Sequence, residues 1–194
     1  MSIDPTSVYF VQSVLDSNLV ADIRGAKDQS GAEVQVYTIK FAPGAGTDPS
    51  SITQQQLQNA ANQLWTFPDG PGANSFYIQS VLDSSLVVDI AGGKAASGTA
   101  LVVNRKSANA KGQLWTLAPA PDLDQPGPLR NTFWFIQSVL DSNLVVDIRG
   151  AQDKSGTPLQ LYTKKQVTTK AQYDAAKNQL WSRTPAYCFF GDPK

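Results

Sequence analysis

The chain has 194 residues, which lies within the range of one domain and is long enough to bury a hydrophobic core. Its 16 basic and 16 acidic residues cancel, so no field of one sign favours nucleic acid or an anionic membrane, and no apolar run is long enough for a membrane helix. Histidine is absent and Cys188 is the only cysteine, which excludes an intrachain disulfide and the usual histidine-based nucleophile pairs.

One phrase occurs three times along the chain. Residues 10–23 read FVQSVLDSNLVADI, residues 77–90 read YIQSVLDSSLVVDI, and residues 135–148 read FIQSVLDSNLVVDI. Each copy is followed by a short closing phrase that ends in Gln-Leu-Trp. A unit that cannot bury its own apolar face must share a core with its neighbours, so the repetition predicts three units around one core.

Within the first unit the pattern is that of strands. Residues 8–15 are rich in β-branched and aromatic side chains, residues 16–18 are typical of a turn, and residues 19–23 form a second strand. The polar residues 24–31 indicate a loop, and residues 33–38 alternate as a third strand does. A fourth strand contains Gln63, Leu64 and Trp65, so three such units predict about twelve strands and an all-β fold.

The later units run over residues 76–117 and 133–184. The Pro/Gly-rich connections at 68–75 and 118–131 are too short to separate independent domains. We therefore expect a single domain over residues 1–194, with repeats at about 8–67, 76–117 and 133–184 and a tail at 185–194.

The units differ mainly in the distance from the aspartate of the repeated phrase to the closing tryptophan. The extra length in the first unit begins at Ser51, and that in the third unit spans residues 167–179. Both contain capping residues and good helix formers, which predicts a short helical turn in each.

The two ends of the chain carry further predictions. Residues 1–10 lack a basic start and an apolar segment, so we expect no secretory signal and a cytoplasmic protein, or one released by a non-classical route. In the tail, residues 187–190 read YCFF. We expect them to pack beside the N-terminal strand; the alternative is a subunit contact in a homodimer.

Three four-stranded units that each close on Gln-x-Trp resemble the β-trefoil of the ricin B-type lectins. The resemblance covers residues 8–184, and residues 154–162 (KSGTPLQLY) are most similar to the cytosolic fungal members of that family. It implies a carbohydrate-binding protein without catalysis, cofactor or metal. Its partners would be glycans, glycoproteins or glycolipids, and galactose and N-acetylgalactosamine are the family's commonest sugars.

The resemblance also implies a set of site residues in each unit. The family uses an aspartate at the end of the second strand, an aromatic floor on the third strand, a glutamine two residues before it, and the Asn-Gln pair before the closing Leu-Trp. Carried over, these residues are Asp22, Gln35, Tyr37, Asn62 and Gln63 in the first unit and Asp147, Gln160, Tyr162, Asn178 and Gln179 in the third.

The second unit departs from this pattern. Asp89 and Gln113 remain, but Val102 replaces the glutamine, Asn104 the aromatic residue and Gly112 the asparagine. Without an aromatic floor we expect this site to be silent or very weak, so the sequence predicts two sugar sites.

The residue types suit a sugar because a pyranose has one face of C–H groups and a rim of hydroxyls. An aromatic ring covers the apolar face, while a carboxylate accepts and amides both donate and accept at the rim.

Several residues also have structural interpretations. We expect Trp65, Trp115 and Trp181 to pack in the core. The glutamines two residues before them fit a bond to the nearby loop backbone at least as well as a contact with sugar. Arg24 and Arg149 either border the sites or lie on solvated surface.

Two other functions remain open at this point. A trefoil can bind proteins, as a protease inhibitor or a filament cross-linker does, and the long inserts at residues 38–61 and 163–177 offer loops for this purpose. The chain could also be a small enzyme or the targeting module of a larger one. We rank this last, because almost nothing outside the three units is left to carry chemistry.

Overall fold

The computed structural model describes residues 2–4, 6–42, 48–121 and 133–187, and most of its regular structure is β-strand. The strands of the described residues are β1 (Tyr9–Ser13), β2 (Leu19–Ile23), β3 (Ala32–Thr38), β4 (Trp65–Thr66), β5 (Gln79–Ser80), β6 (Leu86–Ile90), β7 (Thr99–Arg105), β8 (Trp115–Pro119), β9 (Trp134–Ser138), β10 (Leu144–Ile148), β11 (Leu159–Thr163) and β12 (Trp181–Pro185). The expectation of about twelve strands is therefore confirmed.

Six of these strands close into a barrel. Strand β1 pairs with β12 and β4, β4 pairs with β5, β8 pairs with β9, and β9 pairs with β12. The ring is completed by a bridge between Phe76, which precedes β5, and Trp115 at the start of β8. Closure leaves no open sheet edge along the barrel.

The other six strands form three hairpins, β2–β3, β6–β7 and β10–β11, which meet at one end of the barrel. Strand β3 pairs with β7, β7 pairs with β11, and a bridge between Gln35 and Pro158 links the first hairpin to the third. A six-stranded barrel capped by three hairpins, with one set of four strands per repeat, is the β-trefoil. The predicted fold class is confirmed.

The three repeats share their largest hydrophobic cluster. It contains Trp65, Trp115 and Trp181, each at most 1% exposed, together with the inward-facing residues of all three hairpins. The indole N–H groups donate to backbone carbonyls of the hairpins at 3.1–3.2 Å. The tryptophans therefore fix each hairpin to the barrel, as the core interpretation predicted.

The two predicted helical turns are present as α1 (Gln54–Asn59) and α2 (Lys170–Ala176). Each begins with a capping box. The hydroxyl of the N-cap threonine accepts from the backbone N–H of the glutamine three residues later, and the side chain of that glutamine accepts from the backbone N–H of the threonine. The prediction that the fourth strand of the first repeat contains Gln63 and Leu64 is wrong. Gln63 lies in a 3-10 turn, and the strand begins at Trp65. This turn aims Gln63 at the hairpin instead of along the barrel.

The described part of the tail packs against the N-terminal strand. The Ala186 N–H donates to the Val8 carbonyl at 3.0 Å, and Tyr187 packs on the cluster that contains Val8 and Phe10. Residues 188–194, with most of the connection at 118–131, lie outside the described residues. No helix in the described ranges has the length and hydropathy needed to cross a bilayer.

Candidate functional site

In the first repeat an aspartate lies at the centre of a buried polar network. Strands β2 and β3 pair so that Asp22 stands opposite Gln35, whose amide donates to Asp22 Oδ1 at 2.8 Å. The 3-10 turn Ala61–Gln63 brings the amides of Asn62 and Gln63 to Asp22 Oδ2 at 2.7 and 3.1 Å. Asp22 is 2% exposed, and its carboxylate has roughly four acceptor positions, of which three are filled.

The third repeat builds the same network. Asp147 stands opposite Gln160, which donates to Oδ1 at 2.8 Å. Asn178 and Gln179 donate to Asp147 Oδ2 at 2.7 and 3.0 Å. The structure thus brings together eight of the ten predicted site residues as two equivalent, buried clusters.

Two lysines that sequence reasoning missed complete these clusters. The Lys40 ammonium donates to Asn62 Oδ1 and to the Asn59 carbonyl at the end of α1. Lys165 does the same in the third repeat, at 2.6 Å from both Asn178 Oδ1 and the Ala175 carbonyl. The signal was present in the sequence, since these positions both lie two residues beyond the third strand, where the second repeat has Ser107.

The closing glutamines have a second role in all three repeats. Gln63 accepts from the Lys40 N–H at 2.9 Å and donates to the Thr38 carbonyl at 3.0 Å, which ties the end of β3 to the closing turn. Gln113 and Gln179 make the equivalent pairs of bonds. The backbone-binding interpretation therefore holds in every repeat, while direct sugar contact by Gln63 and Gln179 stays a prediction.

Burial raises the pKa of Asp22 and of Asp147 above the ordinary range for aspartate. The surrounding amides and the nearby ammonium of Lys40 or Lys165 act in the opposite direction, because they favour the charged carboxylate, but desolvation is the larger effect.

The predicted aromatic floors are at the surface. Tyr37 is 43% exposed and Tyr162 is 42% exposed, which makes them two of the few large apolar side chains of the described residues that face solvent. Each lies two residues beyond the glutamine of its network and therefore on the same face of the hairpin. A ring surface beside this buried network can receive the apolar face of a ligand.

Each hairpin is bordered by a loop from another repeat. The Ser155 hydroxyl accepts from the Thr38 N–H at 3.0 Å beside Tyr37, and the Ser97 hydroxyl accepts from the Thr163 N–H at 3.2 Å beside Tyr162. The glycine that follows each serine has a φ of 90° or 87°, a conformation that favours glycine. Residues from two repeats therefore surround each tyrosine.

The turn after each aspartate also differs between repeats. Ala26 and Ala151 both have a φ of 51°, in the left-handed region that is unfavourable for a residue with a Cβ. The second repeat has Gly93 at this position, with a φ of 64°. Backbone strain in the first and third repeats thus coincides with the complete sets of site residues.

The second repeat keeps only part of this network, in which Asp89 accepts from two amides. Strand pairing places Val102 opposite Asp89 and Asn104 opposite Val87, so these residues occupy the positions of Gln35 and Tyr37. Asn104 turns back to donate to Asp89 Oδ2 at 3.0 Å and offers no ring surface.

The two complete sites lie away from a groove that the described residues form elsewhere. This groove is lined by Pro71, Leu114, Thr116 and Val139, and none of the ten predicted site residues lines it. Ligand recognition at Tyr37 and Tyr162 would therefore use a shallow, open surface.

Comparison with known proteins identifies the family. A family model described as a ricin-type beta-trefoil lectin domain-like family matches residues 39–104 and 61–162, which together span more than half of the chain. No curated protein sequence matches the chain.

Several solved structures share the fold. The Rhizoctonia solani agglutinin has a TM-score of 0.63, with 17% identity over 95% of this chain and 98% of its own. The Macrolepiota procera ricin B-like lectin, in complex with lactose, has a TM-score of 0.59 and 18% identity over 95% and 99%. The C-terminal half of an earthworm R-type lectin, in complex with GalNAc, has a TM-score of 0.56 and 16% identity over 92% and 98%.

Proposed function

We infer the function from the family to which this chain belongs, the ricin-type β-trefoil lectin domain family, and propose a non-catalytic lectin with two sugar sites. One site lies at Tyr37 in the first repeat and the other at Tyr162 in the third. The observation that carries the proposal is that a half-exposed tyrosine adjoins a buried Asp-centred amide network in these two repeats and not in the second.

In each site the tyrosine ring would carry the C–H face of a pyranose. The remaining acceptor position of the aspartate would take a hydroxyl, in a bond strengthened by the carboxylate's charge. The asparagine, the lysine and the two glutamines hold that carboxylate in place. Such a shallow site would bind with about −4 to −6 kcal/mol, equivalent to millimolar to tens of micromolar affinity.

We propose galactose- or N-acetylgalactosamine-type glycans as ligands. Support comes from the two relatives above, whose structures contain lactose and GalNAc. Two weak sites on one rigid body would gain avidity on glycoproteins or glycolipids that display several copies of the sugar.

A glycan array with three variants tests the proposal. Tyr37→Ala and Tyr162→Ala should each weaken binding, and the double variant should abolish it, because each change removes one ring surface. Asn104→Ala is the matched control, since it alters the equivalent position of the second repeat and should leave binding unchanged. Binding that survives in the double variant would overturn the site assignment, and an empty array combined with retained protease inhibition would favour the protein-binding alternative.

A further inference from the structure

The two proposed sites share their ring and their amide network but differ in the charges around them. Val34 pairs with Ile23 in the first repeat, and Leu159 pairs with Ile148 in the third, so Val34 and Leu159 are equivalent positions. The residues that precede them, Glu33 and Pro158, are therefore equivalent as well. The first site therefore has a carboxylate at a position where the third has none.

That carboxylate compensates an arginine. Arg24 Nε lies 2.7 Å from Glu33 Oε2, and Arg24 Nη2 donates to the Gly156 carbonyl at 3.0 Å. Because Arg24 is held there, Gln35 Oε1 is buried without a hydrogen-bond partner among the described residues. The guanidinium of the first site is neutralised at the rim.

The equivalent arginine of the third repeat has no such counter-charge among the described residues. Arg149 Nε donates to Gln160 Oε1 at 3.2 Å, and no carboxylate of the described ranges forms a salt bridge with it. Arg149 is exposed, so its terminal N–H groups face solvent at the edge of the Asp147 network.

The bordering loops differ in the same sense. The loop that reaches Thr38 through Ser155 carries Asp153 two residues earlier. The loop that reaches Thr163 through Ser97 has Ala95 at that position and Lys94 just before it. In the loop at the first site the charges of Asp153 and Lys154 cancel, whereas the loop at the third site carries Lys94 as its single charge.

We propose that the third-repeat site accepts an acidic saccharide, one that carries a carboxylate or a sulfate ester next to the ring on Tyr162, and that Arg149 is the residue that selects it. This inference rests on the proposed function. A guanidinium presents paired N–H donors that match the oxygens of either group. In the first site Glu33 already neutralises the guanidinium of Arg24, so no free cation attracts these groups there and the site takes neutral saccharides.

Single-site variants of the full chain separate the two specificities. Tyr37→Ala leaves the third site and Tyr162→Ala leaves the first. Each is probed with glycans in matched neutral, sulfated and sialylated forms, at low and at high ionic strength. The readout is the ratio of acidic to neutral affinity, which a structural defect that weakens all binding equally does not change.

With the third site alone, the acidic form should bind about five- to tenfold more tightly than the neutral form at low salt, and less so at high salt. Adding Arg149→Gln should bring the ratio close to one. This variant leaves Gln160 Oε1 without a partner, as Gln35 Oε1 already is, so the fold tolerates it. With the first site alone, Glu33→Gln should raise the ratio several-fold, because Arg24 loses its counter-charge.

Lys27→Gln is the control for net charge. Lys27 occupies the position of Lys94 on the loop that borders the second repeat, so its removal should leave both ratios unchanged. A response to only the sulfated or only the sialylated form identifies the acidic group and supports the proposal. Equal ratios at the two sites, or a ratio insensitive to Arg149→Gln, would overturn it while the lectin function stands. A parent protein that binds no glycan would overturn both.

Discussion

The second repeat differs from the other two at the positions around its aspartate and in the segment before its closing turn, which has no α-helix, but it keeps the strands and the core contacts of the unit. Asp89, Gln113 and Trp115 keep the bonds of their counterparts to hairpin and barrel. The glutamine, tyrosine, lysine and asparagine of the complete sites are replaced by Val102, Asn104, Ser107 and Gly112. The comparison separates two roles within one unit: Asp, Gln and Trp hold the hairpin in every repeat, while the other glutamine, the asparagine and the lysine complete the buried network beside an exposed tyrosine only in the first and third.

The largest expected effect comes from removing the central aspartate of a complete cluster. Asp22→Ala leaves three buried amides without their acceptor, while the desolvation of the carboxylate is relieved, so we expect a net loss of about 2 kcal/mol in the free energy of unfolding. Asp89→Ala removes the acceptor of only two amides in a more open environment and should cost about 1 kcal/mol. Urea unfolding of both variants measures the difference, and equal losses would contradict the division between the repeats.

Acidification should separate ligand binding from stability. In the proposed sites a sugar hydroxyl bonds to the charged carboxylate of Asp22 or Asp147, so glycan binding should fail as the pH drops through their raised pKa values, at a higher pH than an ordinary aspartate would require. The contribution of these groups to stability has the opposite sign: it is fully present below their unfolded pKa of about 4 and is lost as the pH rises through the folded values.

The double variant Asp22→Asn plus Asp147→Asn isolates this effect. The free energy of unfolding of the parent, minus that of the variant, should fall as the pH rises from about 4 through the raised folded pKa values of Asp22 and Asp147. A difference that does not change with pH, or glycan binding that persists to the acid limit of the folded state, would show that the two carboxyls do not titrate as inferred.

A third site should appear if the second repeat is given the missing residues. Val102→Gln, Asn104→Tyr, Ser107→Lys and Gly112→Asn together restore the set found in the other repeats. Calorimetry should then report three sugars per chain instead of two. The new site should be weaker, because a Cβ at position 112 would lie 2.9 Å from Asp89 Oδ1 and the carboxylate must rotate. An unchanged stoichiometry in a folded variant would mean that the set is insufficient.

The smallest effect concerns the two helices. Tyr173 of α2 occupies the position of Leu57 in α1, four residues after the capping threonine, and its buried hydroxyl has no partner among the described residues. Tyr173→Phe removes that cost and should raise the free energy of unfolding by up to about 1 kcal/mol without changing glycan binding. A loss of stability on thermal or urea unfolding would indicate that the hydroxyl has a partner after all.

Much of this molecule could be predicted from the sequence because it is written three times. The repetition gave the strand pattern, the buried tryptophans, the helix caps and the residues that the second repeat lacks. It could not show that Asp22 is buried, because strand alternation assigns Asp22, Gln35 and Tyr37 to one face without saying how much of that face the closing turn covers.

Contacts between repeats were also beyond the sequence pattern. Arg24 bonds to Gly156, 132 residues away, and Thr38 bonds to Ser155. Such contacts follow from how the hairpins meet at the barrel end and not from local propensity. Lys40 and Lys165 were missed for a different reason, since a lysine beyond a strand end is usually solvated and only its bond to the asparagine marks it as part of the cluster.

We propose that the first and third repeats bind sugar and that the second does not. Backbone amide NMR of the labelled protein, titrated with the best glycan from the array, tests it most directly. We expect saturable shifts at the amides flanking Tyr37 and Tyr162, with those flanking Asn104 unchanged. Shifts centred on Asn104, or on the groove at Leu114 and Val139 while both tyrosines stay unaffected, would contradict it.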